Sequence, residues 1–137
     1  MSRLPLGTRR RVAIAAGGAV GTGLRAGVAA VVPVTAGGWP LATFVVNVTG
    51  SLLLGYLLMR LAGAARRSTL ALPLLGTGLL GSYTTFSTFV VEVGDLARSG
   101  RAAVGVAYGL ASVVVGLLAA TAGIRFGQRR SRHGVLG

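Results

Sequence analysis

Residues Gly76 to Phe89 read Gly-Thr-Gly-Leu-Leu-Gly-Ser-Tyr-Thr-Thr-Phe-Ser-Thr-Phe, inside an apolar segment that runs from about Leu70 to Val93. A helix facing lipid has no use for three glycines followed by a run of hydroxyl residues. In hydrocarbon every backbone N–H and C=O must find a partner within the protein. Such a stretch is tolerated where other helices cover it or where it lines a polar cavity. It predicts a membrane helix broken in mid-span, with carbonyls and hydroxyls placed to hold an ion. Helical character resumes at Thr84, and Phe86 and Phe89, three residues apart, share one face.

Composition places the rest of the chain in the same setting. Of 137 residues 53% are hydrophobic and only 12% are charged, against roughly 25% in a soluble domain. Four long apolar runs exclude a soluble globular domain. The net charge of +12 raises nucleic acid as a partner, but there is no lysine. The arginines sit at the ends of the apolar runs, as in membrane flanks, and not along one binding face. The absence of cysteine excludes disulfides and thiolate metal sites. The lone His133 falls in a polar tail and is read as solvated.

Outward from the central stretch, the pattern gives an all-α integral membrane protein with four transmembrane helices. A basic N-terminal tail, 1–11, precedes a transmembrane domain over 12–126 with spans at about 12–34, 41–60, 70–97 and 102–126. A basic tail over 127–137 follows and is expected to be disordered. The start resembles a secretory signal, with Arg9 and Arg10 hinting at the twin-arginine type. The run is too long for that, and Arg25 stands where a cleavage region is uncharged. Gly17–Gly21 and Gly23–Gly27 are GxxxG pairs that admit a close neighbour. Arg25 either snorkels to a headgroup or faces an aqueous vestibule, where it would draw anions. Gly37, Gly38 and Pro40 mark a turn beside an interfacial anchor, Trp39.

In the second span Thr43, Asn47 and Ser51, at i, i+4 and i+8, form one polar stripe, and the mid-span amide of Asn47 needs partners. A polar loop with Arg66 and Arg67 follows. The two acids of the chain are Glu92 and Asp95. Glu92 is expected as an end-of-helix carboxylate beside an arginine, the alternative being a proton carrier. In the fourth span Gly105, Gly109, Ser112, Gly116, Ala119 and Gly123 form a small-residue packing face. Tyr108 and Ser112 place two hydroxyls one turn apart.

Four helices are too few to enclose a vestibule and pore, so an oligomer is expected. No nucleophile–base set, paired carboxylates or phosphate loop is present, so the chain is not read as an enzyme. The interior polar groups are hydroxyls, one amide and Arg25, which donate hydrogen bonds and carry no central negative charge. Together with the electropositive edges of phenylalanine rings, they suit a small anion better than a cation.

At this point a resemblance enters. The string Gly-Ser-Tyr-Thr-Thr-Phe-Ser-Thr-Phe followed by Glu92, Val-Asn-Val-Thr-Gly-Ser at 46–51, Gly-Thr-Gly-Leu-Arg at 21–25, and the pair Tyr108 and Ser112 together resemble the Fluc (CrcB) fluoride channels over all four spans. The resemblance implies an antiparallel dimer in the cell inner (plasma) membrane, with two fluoride pores and one structural Na⁺ at its centre. It implies that the main-chain carbonyls of Gly81 and Thr84 hold the Na⁺. It implies pore residues Asn47, Phe86 and Phe89, a polar track of Ser87, Tyr108 and Ser112, with Thr43 beside it, and a vestibule at Arg25. Gly116 and Ala120 depart from the pattern, since hydroxyls often extend the track there. The implied function is passive export of fluoride, which lowers its cytoplasmic accumulation. Its rival is a proton-coupled small exporter using Glu92. By the positive-inside rule both termini face the cytoplasm, and that strong bias favours an antiparallel partner chain of opposite topology over a homodimer.

Overall fold

The computed structural model describes residues 4–32, 38–62 and 69–133. Arg3, the Gly37 end of the first turn and the loop carrying Arg66 and Arg67 lie outside the described residues. The elements are α1 (Leu6–Val31), α2 (Leu41–Ala62), α3 (Leu72–Leu80 followed by the single turn Gly81–Tyr83), α4 (Phe86–Arg98) and α5 (Ala102–His133). No strand occurs among the described residues. Four helical stretches are long and apolar enough to cross a bilayer: Leu6–Val31, Leu41–Leu61, Leu72–Arg98 and Ala102–Arg129. The chain is a multi-pass membrane protein.

The helix ends follow from local chemistry. Pro5 caps α1, and its carbonyl accepts from Arg9 N at 3.0 Å. At the far end Val32 turns extended (φ −88°, ψ 119°), as the residue before a proline prefers. Pro73 stands in the first turn of α3, where its missing N–H costs nothing. The Leu72–Leu80 part is wound with i→i+5 hydrogen bonds, and Gly81 N–H reaches Gly76 O. The close of α4 is a left-handed Gly100 (φ 77°), with Arg101 N bonded to Leu96 O at 2.8 Å. Only glycine takes that conformation without strain, and it turns the chain straight into α5.

Packing runs in two pairs, α1 against α3 and α2 against α5, with α4 on the other flank of α5. Small residues set the spacing. A methyl group added at Gly17 would overlap Leu74 O, and one at Gly21 would overlap Leu79 O. One at Gly78 would come within 2.6 Å of Ile14 O. The α2–α5 contact is alike: Gly55 abuts the carbonyl of Ala120, and Gly123 that of Leu52. Most large apolar side chains point outward, among them Val106, Leu110, Leu117 and Leu118 on α5, as befits helices solvated by lipid.

Four expectations change. Gly76 and Gly78 are buried within helical backbone; the helix is interrupted later, at Thr84 (ψ 158°) and Thr85 (φ −146°, ψ 123°). The second GxxxG pair, Gly23 and Gly27, meets nothing within 4 Å, so its face is open. The helix α5 runs on to His133, past the point where a disordered tail was expected to begin. The packing role of the α5 small residues falls on Gly105, Ala119 and Gly123, whereas Gly109 and Gly116 stand at ordinary van der Waals distance from their neighbours.

Candidate functional site, a polar interior around the helix interruption

Two extended residues inside a span leave backbone groups without helical partners. Asn47, facing them from α2, supplies both halves of its amide. Its Nδ2 donates to Thr85 O at 2.9 Å, and its Oδ1 accepts from Thr85 N at 2.8 Å. The Thr85 hydroxyl then caps α4: Oγ1 accepts from Thr88 N at 3.2 Å and donates to Thr88 Oγ1 at 3.0 Å. The Thr84 hydroxyl bonds back to Leu80 O at 3.0 Å. Tyr83 OH meets Thr49 Oγ1 at 3.0 Å. The interruption is thus closed by side chains from its own strip and from α2.

This arrangement diverts the i+4 donors of two carbonyls. Thr85 N–H is turned to Asn47, so Gly81 O loses its usual i+4 donor. Thr88 N–H is turned to Thr85 Oγ1, so Thr84 O loses its own. Main-chain oxygens of this kind are hard ligands suited to an alkali or alkaline-earth cation. They are the two positions expected to hold Na⁺, and Gly81 is exposed at the surface of the chain.

One turn earlier on α2, Thr43 donates to Glu92 Oε1 at 2.7 Å. Tyr108, fully buried on α5, donates to Glu92 Oε2 at 2.8 Å. Among the described residues Glu92 pairs with no arginine, although the sequence led us to expect one. Its carboxylate is held by two hydroxyls from two other helices. The arginine contact belongs to Asp95, whose Oδ1 lies 2.6 Å from Arg98 NH2 on the exposed end of α4. Rings surround this triad. Trp39, expected as a plain interfacial anchor, meets Tyr108 edge-on at 5.4 Å and Phe44 at 5.7 Å. Phe89 lies 5.4 Å from Tyr108 and 5.9 Å from Phe86 between ring centres. Phe86 itself is 76% exposed, so it faces whatever lies beside the chain.

Two cavities flank Thr85, one after the other along α2. The first, about 240 Å³, is lined by Thr22, Arg25, Ala42, Thr43, Thr85 and Thr88 among others. The second, about 250 Å³, is lined by Asn47, Gly50, Ser51, Thr84, Thr85 and Phe86, with Leu54. The polar stripe of α2 thus serves both, with Thr43 in the first and Asn47 and Ser51 in the second. Arg25 is half-buried at the first cavity, and no carboxylate lines either one. Ser112 Oγ, on α5, is buried and has no hydrogen-bond partner among the described residues. Ser87 is exposed, its Oγ 3.4 Å from Thr85 Oγ1.

The expected site residues therefore fall into two linked groups, Asn47 with Phe86, Ser87 and the carbonyls of Gly81 and Thr84, and Thr43 with Tyr108 and Phe89. The first cavity joins Arg25 to Thr43, and Ser112 lies beside the Tyr108 hydroxyl, which sets it with the second group. The triad on Glu92 and the bidentate hold on Thr85 escaped sequence reading. The one signal for the first was the i, i+4 register of Thr43 and Asn47.

Comparisons with known proteins find relatives along most of the chain. The family profile described as "CrcB-like protein, Camphor Resistance (CrcB)" matches residues 12–124. A "Fluoride-specific ion channel FluC 1" of Mycobacterium bovis is 42% identical over 111 residues, covering 81% of this chain and 84% of that protein. A "Fluoride-specific ion channel FluC" of Hyphomonas neptunium is 40% identical over 124 residues, covering 85% and 93%. A "Fluoride-specific ion channel FluC 2" of Geobacillus kaustophilus is 37% identical over 125 residues, covering 90% and 97%.

Proposed function

This chain belongs to the CrcB-like family, a family of ion channels and not of enzymes, and from that premise we propose that it is a passive, fluoride-selective channel of the cell membrane. The observation that carries the reading is the second cavity: amide, hydroxyls and a phenylalanine line it, and no carboxylate does. Fluoride is small and strongly hydrated, so a pore must offer fixed donors in place of water. Asn47 has a second N–H beyond the one given to Thr85. Ser112 offers a buried hydroxyl with no partner among the described residues. Phe86 and Phe89 present ring edges, the electropositive part of an aromatic. Arg25 lends positive potential to the first cavity.

Hydrogen fluoride enters cells as the neutral acid and dissociates to an anion that lipid retains. A passive pore lets the membrane potential expel that anion, at about 2.3 kcal/mol per charge per 100 mV, without ATP or a coupled ion. Phe86, at 76% exposure, borders a surface that the chain does not cover. A second subunit, inverted with respect to the first, would complete the path there. Gly81 and Thr84 would hold a structural Na⁺ through carbonyls that the interruption leaves without i+4 donors. The ion would supply a fixed positive charge tying the interruptions of two subunits together.

Purified protein in fluoride-loaded liposomes is the test. Fluoride appearing at an external electrode at a rate that follows an imposed K⁺ diffusion potential, with no proton gradient, is the expected result. Release that requires a proton gradient would turn the reading to a coupled exporter built on Glu92, the in-span carboxylate held by Thr43 and Tyr108. Glu92→Gln separates the two, since a coupled exporter stops and a channel keeps conducting.

A further inference from the structure

We propose that Ser51 and Ser112 form a fluoride-binding station on the seam between α2 and α5, beside the hollow left by Gly116. The station rests on the channel reading for its ligand. Three contacts fix the register of the seam. Thr43 of α2 and Tyr108 of α5 hold the same carboxylate, that of Glu92. A methyl group added at Gly116 would stand 3.7 Å from Ser51 Oγ. Gly55 abuts the carbonyl of Ala120. Thr43, Ser51 and Gly55 repeat at turns of four residues along one face, and Tyr108, Gly116 and Ala120 repeat in step with them. The same register brings Asn47 level with Ser112.

Hydrogen bonding along this seam is incomplete at two points only a turn apart. Thr43 and Tyr108 have given their hydrogens to Glu92. A hydroxyl inside a span commonly returns its hydrogen to the carbonyl one turn back, as Thr49 does to Val45 O at 2.6 Å and Thr121 to Leu117 O at 2.8 Å. Ser51 does not, and makes no hydrogen bond among the described residues. Ser112 Oγ, beside the Tyr108 hydroxyl, is buried and also has no hydrogen-bond partner among them. Leaving a buried donor unpaired costs stability, and an acceptor arriving between the helices recovers it. Fluoride accepts hydrogen bonds and donates none, so two O–H groups from facing helices suit it.

Gly116 supplies the room. It has no side chain to fill the space toward Ser51, and Ser112 stands one turn before it on α5. Ser51 lines the second cavity with Asn47 and Phe86, and its other neighbour is α5. It therefore stands between the cavity and Ser112. An ion held in the cavity by the amide and the ring edge meets the Ser51 hydroxyl next, then that of Ser112. The two serines offer replacement donors at the step where the ion leaves one helix surface for the other, which is what a strongly hydrated anion requires of a pore.

Fluoride release from liposomes and melting of the full chain in detergent together test the station. Ser51→Ala should slow release about tenfold, the factor that one hydrogen bond to a charged group represents, while Ser51→Thr, which keeps the hydroxyl, should stay close to wild type. Gly116→Ala should slow release too. Its methyl stands at an ordinary contact distance and alanine is the better helix former, so its melting temperature in chloride should hold or rise, which separates a filled hollow from a damaged fold. Wild-type release from either alanine variant overturns the station. Melting in sodium fluoride against sodium chloride at equal ionic strength reads binding without conduction. The gain in melting temperature with fluoride should be larger in wild type than in Ser51→Ala; equal gains overturn the station. A wild type that releases no fluoride defeats the channel reading, and the melting comparison then decides the station by itself.

Discussion

Asn47 gives Thr85 a donor and an acceptor at once, at 2.9 and 2.8 Å. Removing it leaves a buried N–H and a C=O short of partners, each costing about 1–3 kcal/mol. Asn47→Ala should lower the melting temperature in detergent measurably and cut conduction, while Ser51→Ala, two turns from Thr43 and without a hydrogen bond among the described residues, should leave stability within about 0.5 kcal/mol. Equal stability of Asn47→Ala and wild type would mean that the interruption is held by something else. Phe86→Ile should keep stability near that of wild type, because the ring is mostly exposed, and yet lower fluoride release from liposomes at least tenfold. Phe89→Ile should do the same to flux with an added loss of about 1 kcal/mol from its contacts with Phe86 and Tyr108. Wild-type rates in both variants would remove the rings from the path. The sequence made Phe86 and Phe89 legible as one face because three residues is a helical interval. The partners of Glu92 were hidden, since Thr43 lies 49 residues away and no local pattern encodes which helix faces which.

Among the elements, the two GxxxG pairs of α1 have separate fates. Gly21 meets Leu79 O and Tyr83 N, so Gly21→Ala forces backbone apart and should cost about 1–3 kcal/mol or more. Gly23 faces nothing within 4 Å, and Gly23→Ala should be neutral or slightly stabilising, alanine being the better helix former by about 1 kcal/mol. Thermal melts of the two variants side by side check this; a larger loss at Gly23 would place a partner subunit on that face. The spans were readable from hydropathy, and Gly17–Gly21 from the small-xxx-small rule. The glycines of α3 were not. A glycine signals either backbone freedom or close approach, and Gly78 turned out to serve approach, to Ile14 O. For the Na⁺ reading, Thr84→Ser should be mild, because the group at issue is a main-chain carbonyl; loss of sodium from that variant in elemental analysis would shift the role to the side chain.

At the scale of the whole molecule, charge is as uneven as packing. By position in the sequence, eleven arginines belong to the side of the four spans that carries both termini (Arg3, Arg9, Arg10, Arg11, Arg60, Arg66, Arg67, Arg125, Arg129, Arg130 and Arg132), against Arg98 and Arg101 between the third and fourth spans. The positive-inside rule would then put both termini in the cytoplasm. An inverted partner would come from a second, homologous chain of opposite bias. Ser2→Cys, in a chain with no cysteine of its own, should resist an impermeant maleimide in intact cells; labelling of half the molecules would show that this chain inserts both ways and pairs with itself. Thr85 adds a consequence that belongs to the membrane as a capacitor. It borders both cavities; were they filled with electrolyte from opposite faces of the bilayer, the insulating layer there would thin from roughly 30 Å of hydrocarbon to about the width of one residue. Most of the resting voltage would then drop across Thr85, with a local electric field several times that in the surrounding lipid.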